Sequence, residues 1–294
     1  MLRIQLHSGT GSRPENTLRT GGAPGCGKPG PARFRQFRLI PEGEDIRITT
    51  PAFVLRRVRW SESSLILTMY SLDFGRISVI AKGSLRPKSQ FYGKLELLNR
   101  LDISLSRREG REMDTATEAD VKCYYQDIRC DPVAFTHACL FVEWLLLSIS
   151  GSEPSHPMFH LIGNVLDSFS QGPPFWPVLC AGLEKTLRLN GFGMEIECCT
   201  KCGEKAAGSP YWNPASGGLV CRKCSGESRG ISPGLLAFFR KSRNGGIEDI
   251  RNIRLWHGGY RQCFDLLREF AEIHLERRMN LKSLSVLEDL ENEQ

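Results

Sequence analysis

The chain has 294 residues, 40% apolar and 24% charged, with a formal net charge of +6. That length leaves ample material for a buried core and sets an expectation of about two domains. No run nears the ~18 uninterrupted apolar residues of a membrane-spanning helix, since the most apolar stretch, Ala138 to Ile149, is split by Glu143. A signal-like apolar block near the start and Asn-X-Ser/Thr acceptors are both missing, which argues against secretion.

Residues 1–46 are rich in Gly, Pro, Arg and Ser and carry no periodic apolar pattern. Such a segment buries too little surface to offset its ordering entropy, so a disordered extension is expected. Seven basic residues against one acid up to Pro41 also fit a transit peptide, though without an amphipathic helix, and a start codon assigned too far upstream is a further reading. Gly22-Ala23-Pro24-Gly25-Cys26-Gly27-Lys28 matches the opening of a phosphate-binding loop. Pro29 then stands where a magnesium-binding hydroxyl is needed, and Pro29 and Pro31 disfavour the helix whose N-terminus would hold the phosphate, so ATP binding is not expected.

From Pro51 the pattern becomes short alternating segments, predicted as strands over 52–60, 64–71, 76–82, 95–106 and 112–123. In the third, Ile77, Val79 and Ala81 face one side and Arg76, Ser78, Ile80 and Lys82 the other, as in a half-buried strand. Turn chemistry at Asp73-Phe74-Gly75, Gly83 to Ser89 and Glu109-Gly110 separates these segments, and the set reads as a small β-barrel. Residues 51–110 carry 11 basic residues against 5 acidic, whereas 111–199 carry 5 against 12. A polyanion, nucleic acid first, is therefore expected to meet the front module, with a merely solvated surface as the plain alternative.

After Asp131-Pro132, an N-cap followed by proline at the first helical position, the texture turns helical. Val133, Leu140, Phe141, Trp144 and Leu147 recur at near-helical spacing, and further helices are predicted over 156–170, 175–190, 233–242 and 258–279.

Eleven cysteines suggest a disulfide framework until their spacing is considered. Cys199-Thr200-Lys201-Cys202-Gly203 and Cys221-Arg222-Lys223-Cys224 stand 18 residues apart, the spacing of a zinc ribbon. Four thiolates fill a tetrahedral shell, so the ion would be structural. Cys198 is an alternative to Cys199, but only Cys199 gives the two-residue gap to Cys202. Cys26, Cys123, Cys130, Cys139, Cys180 and Cys263 are expected to be reduced surface or small core residues of a cytosolic protein. A nucleobase deaminase needs His-X-Glu ahead of Pro-Cys-X-X-Cys, whereas the sole His-X-Glu, His274-Leu275-Glu276, follows both pairs. His137, His156, His160 and His257 have no catalytic spacing and are taken as structural or exposed.

In the front module Arg56, Arg57, Arg59, Arg76, Lys82, Arg86, Lys88 and Lys94 interleave with Trp60, Tyr70, Phe74, Phe91 and Tyr92. Small barrels bind single strands by tracking phosphates with cations while bases stack on aromatic faces. For any one of these aromatics, a place in the core is the competing reading.

Leu65 to Tyr70, Phe74-Gly75-Arg76-Ile77-Ser78-Val79, Ala81-Lys82-Gly83, Arg86-Pro87-Lys88-Ser89, the two cysteine pairs with Gly203 and Gly217-Gly218, and Leu281-Lys282-Ser283 together resemble the RecO family of bacterial DNA repair proteins, in order and spacing over 51–290. The resemblance implies an α+β chain: an OB-fold barrel over 47–130 and an α-helical domain over 131–294, carrying a four-cysteine zinc-ribbon insertion at 198–225. It implies a non-enzymatic recombination mediator, cytoplasmic and nucleoid-associated. Such a protein binds single- and double-stranded DNA, anneals complementary strands and, with RecR, helps load RecA onto DNA coated by single-strand binding protein. Matched by motif, Arg76, Lys82, Arg86 and Lys88 would contact DNA, and Cys199, Cys202, Cys221 and Cys224 would hold one Zn2+ ion. Arg56, Arg57 and Arg59 join the DNA contacts on charge alone. On this reading the ribbon braces the barrel against the helices. The alternative is a zinc-ribbon adaptor that binds protein and anneals nothing; a metal-dependent hydrolase would need an open metal position.

Overall fold

The computed structural model describes residues 45–292, apart from 109, 111, 150 and 206–209. The expected extension, apart from its last two residues, and its phosphate-loop-like run lie outside the described residues, as does Cys26. Among the described residues no helix is long and apolar enough to cross a membrane.

Five strands close into a barrel: β1 (Ile46–Arg59), β2 (Leu65–Ser71), β3 (Gly75–Ala81), β4 (Arg100–Arg107) and β5 (Asp114–Cys123), in the order β1-β2-β3-β5-β4. Only the β3–β5 pairing is parallel. The seam that closes the barrel is short, Val79 and Ile80 of β3 against Asp114 and Thr115 of β5. The alternation foreseen in β3 holds: Ile77, Val79 and Ala81 are buried in the barrel core, while Ser78 on the other face is exposed. Together with the helices that follow, this barrel makes the chain an OB-fold joined to a helical domain.

Two strand limits differ from those predicted. β1 begins at Ile46 because residues 46–53 pair with β4 before residues 52–59 pair with β2. Pro51, which has no N–H to donate, sits where β1 changes partner and so resembles a break in sequence. β4 begins at Arg100, not Leu95, because the apolar residues before it do not alternate across a sheet. Phe91 and Leu95 instead plug the barrel from a run of turns.

The helical part comprises α1 (Gln126–Cys130), α2 (Pro132–Ser148), α3 (His156–Phe169), α4 (Phe175–Leu189), α5 (Pro233–Asn244), α6 (Ile247–Arg251), α7 (Gly259–His274) and α8 (Lys282–Asn292). Between α4 and α5 lie three short strands, β6 (Tyr211–Asn213), β7 (Gly218–Val220) and β8 (Arg229–Gly230), in the order β7-β6-β8. The start of α2 is as foreseen: Asp131 Oδ1 accepts from the Val133 and Ala134 amides at 2.9 and 3.1 Å, with Pro132 at N1. α7 stops at His274, five residues short of the predicted limit, and Glu276 beyond it adopts a left-handed φ of 51°. α1 and α6, five residues each, are too short to show a period, and α8, which packs on α2, is a further helix the pattern did not reveal.

The barrel meets the helices through its outer face. Phe53, Tyr70 and Arg76 are cross-strand neighbours on β1, β2 and β3. Phe53 packs against Phe159 of α3 with ring centroids 4.9 Å apart. The Tyr70 hydroxyl lies 3.5 Å from the Ser155 carbonyl. Gly75 is required at the β2–β3 turn: its φ is +60°, and a Cβ there would fall 2.5 Å from the Glu153 carbonyl oxygen.

Candidate functional site

The exposed end of the barrel is built from two segments. Beyond a bulge at Val54/Arg56 the end of β1 runs clear of the core, so Arg56, Arg57, Val58 and Arg59 are all exposed. The segment after β3 follows with successive tight turns, Arg86 N–H donating to Gly83 and Ser89 N–H to Arg86. The Leu85 amide bonds the Ser63 carbonyl at 3.0 Å, tying this segment to the β1–β2 turn. Arg59 and Trp60 are thereby gathered at one end with Lys82, Leu85, Arg86 and Lys88.

The cations fall into two kinds. Arg56, Lys82, Arg86 and Lys88 are exposed, and none forms an ion pair among the described residues. The others have protein partners. Arg57 pairs with Glu96, Arg59 donates to the Ser61 and Glu62 carbonyls at 3.3 Å each, and Lys94 Nζ reaches the Ala119 carbonyl at 3.0 Å. Arg76 departs furthest from its expected place. Its Nη1 donates to the Ile149 and Leu146 carbonyls at 2.9 and 3.3 Å, capping the C-terminal end of α2. Burial, then the positive charges of Arg277 and Arg56, hold its pKa below the usual guanidinium value. Arg76 is a junction residue, because the helical domain supplies acceptors that a reading of the barrel alone leaves out.

The aromatics divide likewise. Tyr70 and Phe91 are core. Phe74 lies half-buried under the Arg107 guanidinium, 4.0 Å from its ring centroid, and Arg107 is itself bonded to Asp114. Trp60 and Tyr92 are free to stack, at 65% and 82% exposed. Thr68 and Ser78, not singled out in the sequence, lie across from Arg56 in one cross-strand row on the outer face, and only the register reveals this.

The second site is the cysteine cluster. The sulfurs of Cys199, Cys202, Cys221 and Cys224 all lie within 4.8 Å of one another, and Cys202 and Cys221 are 3.7 Å apart. A tetrahedral ion with ligands at about 2.3 Å places its sulfurs about 3.8 Å apart, so the cluster can hold a metal ion. Backbone amides, that of Cys221 foremost, hold the Cys199 thiol down to about 6, while the Cys221 thiol and burial push Cys224 up to about 12. A cation would relieve this crowding of sulfurs. Cys198 lies outside the cluster and is a free thiol, as are Cys130, Cys139, Cys180 and Cys263. Cys123 departs from expectation in being disulfide-bonded.

The ribbon is anchored on α5 and α7. Trp212 of β6 is buried and stacks on Phe239 of α5 and against Phe270 of α7. His274 Nε2 lies 2.8 Å from the Pro214 carbonyl oxygen, and Arg229 pairs with Glu269. Gly218 lets β7 approach the chain at Glu195, whose carbonyl oxygen would stand 2.1 Å from a Cβ. Among the described residues the ribbon rests on the helices, and Phe53, Tyr70, Gly75 and Arg76 make the junction of barrel and helices that the ribbon was expected to brace.

Residues 46–125 match the family model of the recombination protein O N-terminal domain, and residues 129–285 match that of its C-terminal domain. The chain belongs to the RecO family. The first RecO match begins at β1, and the second takes in all four clustered cysteines. Relatives named DNA repair protein RecO include that of Rubrobacter xylanophilus, 30% identical over 64% of this chain and 77% of the relative. That of Desulfosudis oleivorans is 28% identical over 82% of this chain and 96% of the relative, and that of Alkaliphilus metalliredigens 23% over 81% and 98%.

Proposed function

We propose that the chain is a non-enzymatic recombination mediator that binds single- and double-stranded DNA and anneals complementary strands. With RecR it helps load RecA onto DNA coated by single-strand binding protein, in the cytoplasm at the nucleoid. The observation that carries this reading is the exposed end of the barrel, where Lys82, Arg86 and Lys88 share a surface with Trp60. Exposed cations with no ion-pair partner release counterions when they meet phosphates, and an uncommitted aromatic ring accepts any base. Contacts of that kind follow the backbone and leave Watson–Crick edges open to a second strand. Neutralising the phosphates of both strands then lowers the repulsion that slows their pairing.

The cysteine cluster is proposed to hold one Zn2+ ion in a purely structural role. Four thiolates complete its tetrahedral shell, leaving no position for a water or substrate. The helical domain is proposed to present the surface for protein partners.

Annealing of fluorescent complementary oligonucleotides tests the reading, with and without single-strand binding protein. Acceleration by the folded protein, reduced when Arg86 and Lys88 are both changed to Glu, supports it. No acceleration by folded, metal-loaded protein would favour a protein-binding adaptor. A loss confined to some sequences would contradict backbone reading.

A further inference from the structure

Two arginines from distant parts of the chain converge on the end of α2. Arg76, from the barrel, donates to the Leu146 and Ile149 carbonyls. Arg277, from the segment after α7, donates through Nη1 to the Leu147 carbonyl at 3.0 Å. Arg277 remains exposed, as do Arg278 beside it and Lys282 at the start of α8. On the barrel side, Arg76 and Ser78 lie two residues apart on one face of β3, and Ser78 continues across β2 to Thr68 and across β1 to Arg56.

We infer that the nucleic-acid surface crosses the junction onto the helical domain, running from Arg56, Thr68 and Ser78 past Arg76 to Arg277. This rests on the DNA-binding reading above and extends it. A guanidinium has five N–H donors, so a bond to one carbonyl leaves Arg277 able to grip a phosphate while that bond fixes its position. The hydroxyls of Thr68 and Ser78 add neutral donors to the barrel side. The cleft of about 680 Å³ on the β3–β5 side shares Arg76 and Ser78 with this path, but its other walls set Asp73, Glu112, Asp114 and Glu153 against Arg107 and Arg108 alone, so a polyanion passes its rim and does not enter it. Charge therefore directs the strand towards Arg277.

The full chain is titrated with oligothymidines of increasing length, from about 3 to about 30 nucleotides, bracketing the 4–16 nucleotides that one OB-fold covers. Wild-type affinity should continue to rise with length after the barrel is filled. In Arg277→Met, which keeps the stem and removes the charge, affinity should stop rising at a shorter length. With a long oligonucleotide the salt slope should then flatten by about 0.7, about a fivefold loss at 0.1 M salt. Arg277→Lys should restore most of it. Identical length and salt dependence in wild type and Arg277→Met would overturn the inference while leaving the barrel reading intact. A loss in Arg277→Met with a lower melting temperature and no rescue by lysine would overturn it too, assigning Arg277 to packing alone. Failure of the wild type to bind at any length would remove the barrel reading itself.

Discussion

Arg251 is a buried cation without a carboxylate partner among the described residues, and its surroundings explain why it is tolerated. Its guanidinium donates to the carbonyls of Ser168, Gln171, Gly172 and Pro173 and to the Ser168 hydroxyl, closing the end of α3 from α6. Replacing it with methionine strands several buried acceptors at about 1–3 kcal/mol each before relaxation, so a loss of about 3 kcal/mol in urea unfolding is expected. An unchanged midpoint would show that water replaces the guanidinium. His137 gives a second expectation. Burial among Phe169, Phe175 and Trp176 lowers its pKa from 6.5 to about 4. Above pH 6.5 folded and unfolded chains both leave it neutral, and its contribution is complete. As the pH falls towards 4 the unfolded chain takes up a proton that the folded chain refuses, and about 3 kcal/mol of stability is lost. His137→Leu should flatten this acid limb in a series of urea midpoints, and an unchanged limb would place its origin elsewhere. At this scale the sequence showed residue types but not partners. Arg76 and Arg86 look alike along the chain, yet one caps a helix and the other faces solvent.

Elements were legible where local chemistry acts alone. Asp131-Pro132 announced α2, and the alternation in β3 announced its buried face. The cysteine pairs announced a cluster because each Cys-X-X-Cys loop closes on itself, as the Gly203 and Cys224 amides do on the Cys199 and Cys221 carbonyls. Where the ribbon docks was not legible. That depends on Trp212 finding Phe239 and Phe270, residues 27 and 58 positions away in sequence. The ribbon has three strands of two or three residues, too little core to hold its shape without a metal. Chelation should therefore unfold the ribbon and expose Trp212, seen as a red shift in fluorescence, while the barrel and its DNA affinity persist. Cys221→Ser should abolish stoichiometric zinc, and full retention would exclude Cys221 as a ligand.

For the whole molecule the expectation concerns salt. If Arg56, Lys82, Arg86, Lys88 and Arg277 neutralise about five phosphates on a single strand, log affinity should fall with log salt at a slope near −3.5, about a hundredfold between 50 and 200 mM. A flat response would count against a cationic surface as the basis of binding. By itself the sequence determined a basic barrel, a helical domain after Asp131 and a four-sulfur cluster, because alternation, capping and ligand spacing are properties of neighbouring residues. Only the tertiary structure decided which cations stay free, which aromatics remain outside the core, that the ribbon rests on α5 and α7, and that Arg76 and Arg277 meet at α2. Those outcomes depend on contacts between residues far apart in the chain, where burial and hydrogen-bond partners override local preference.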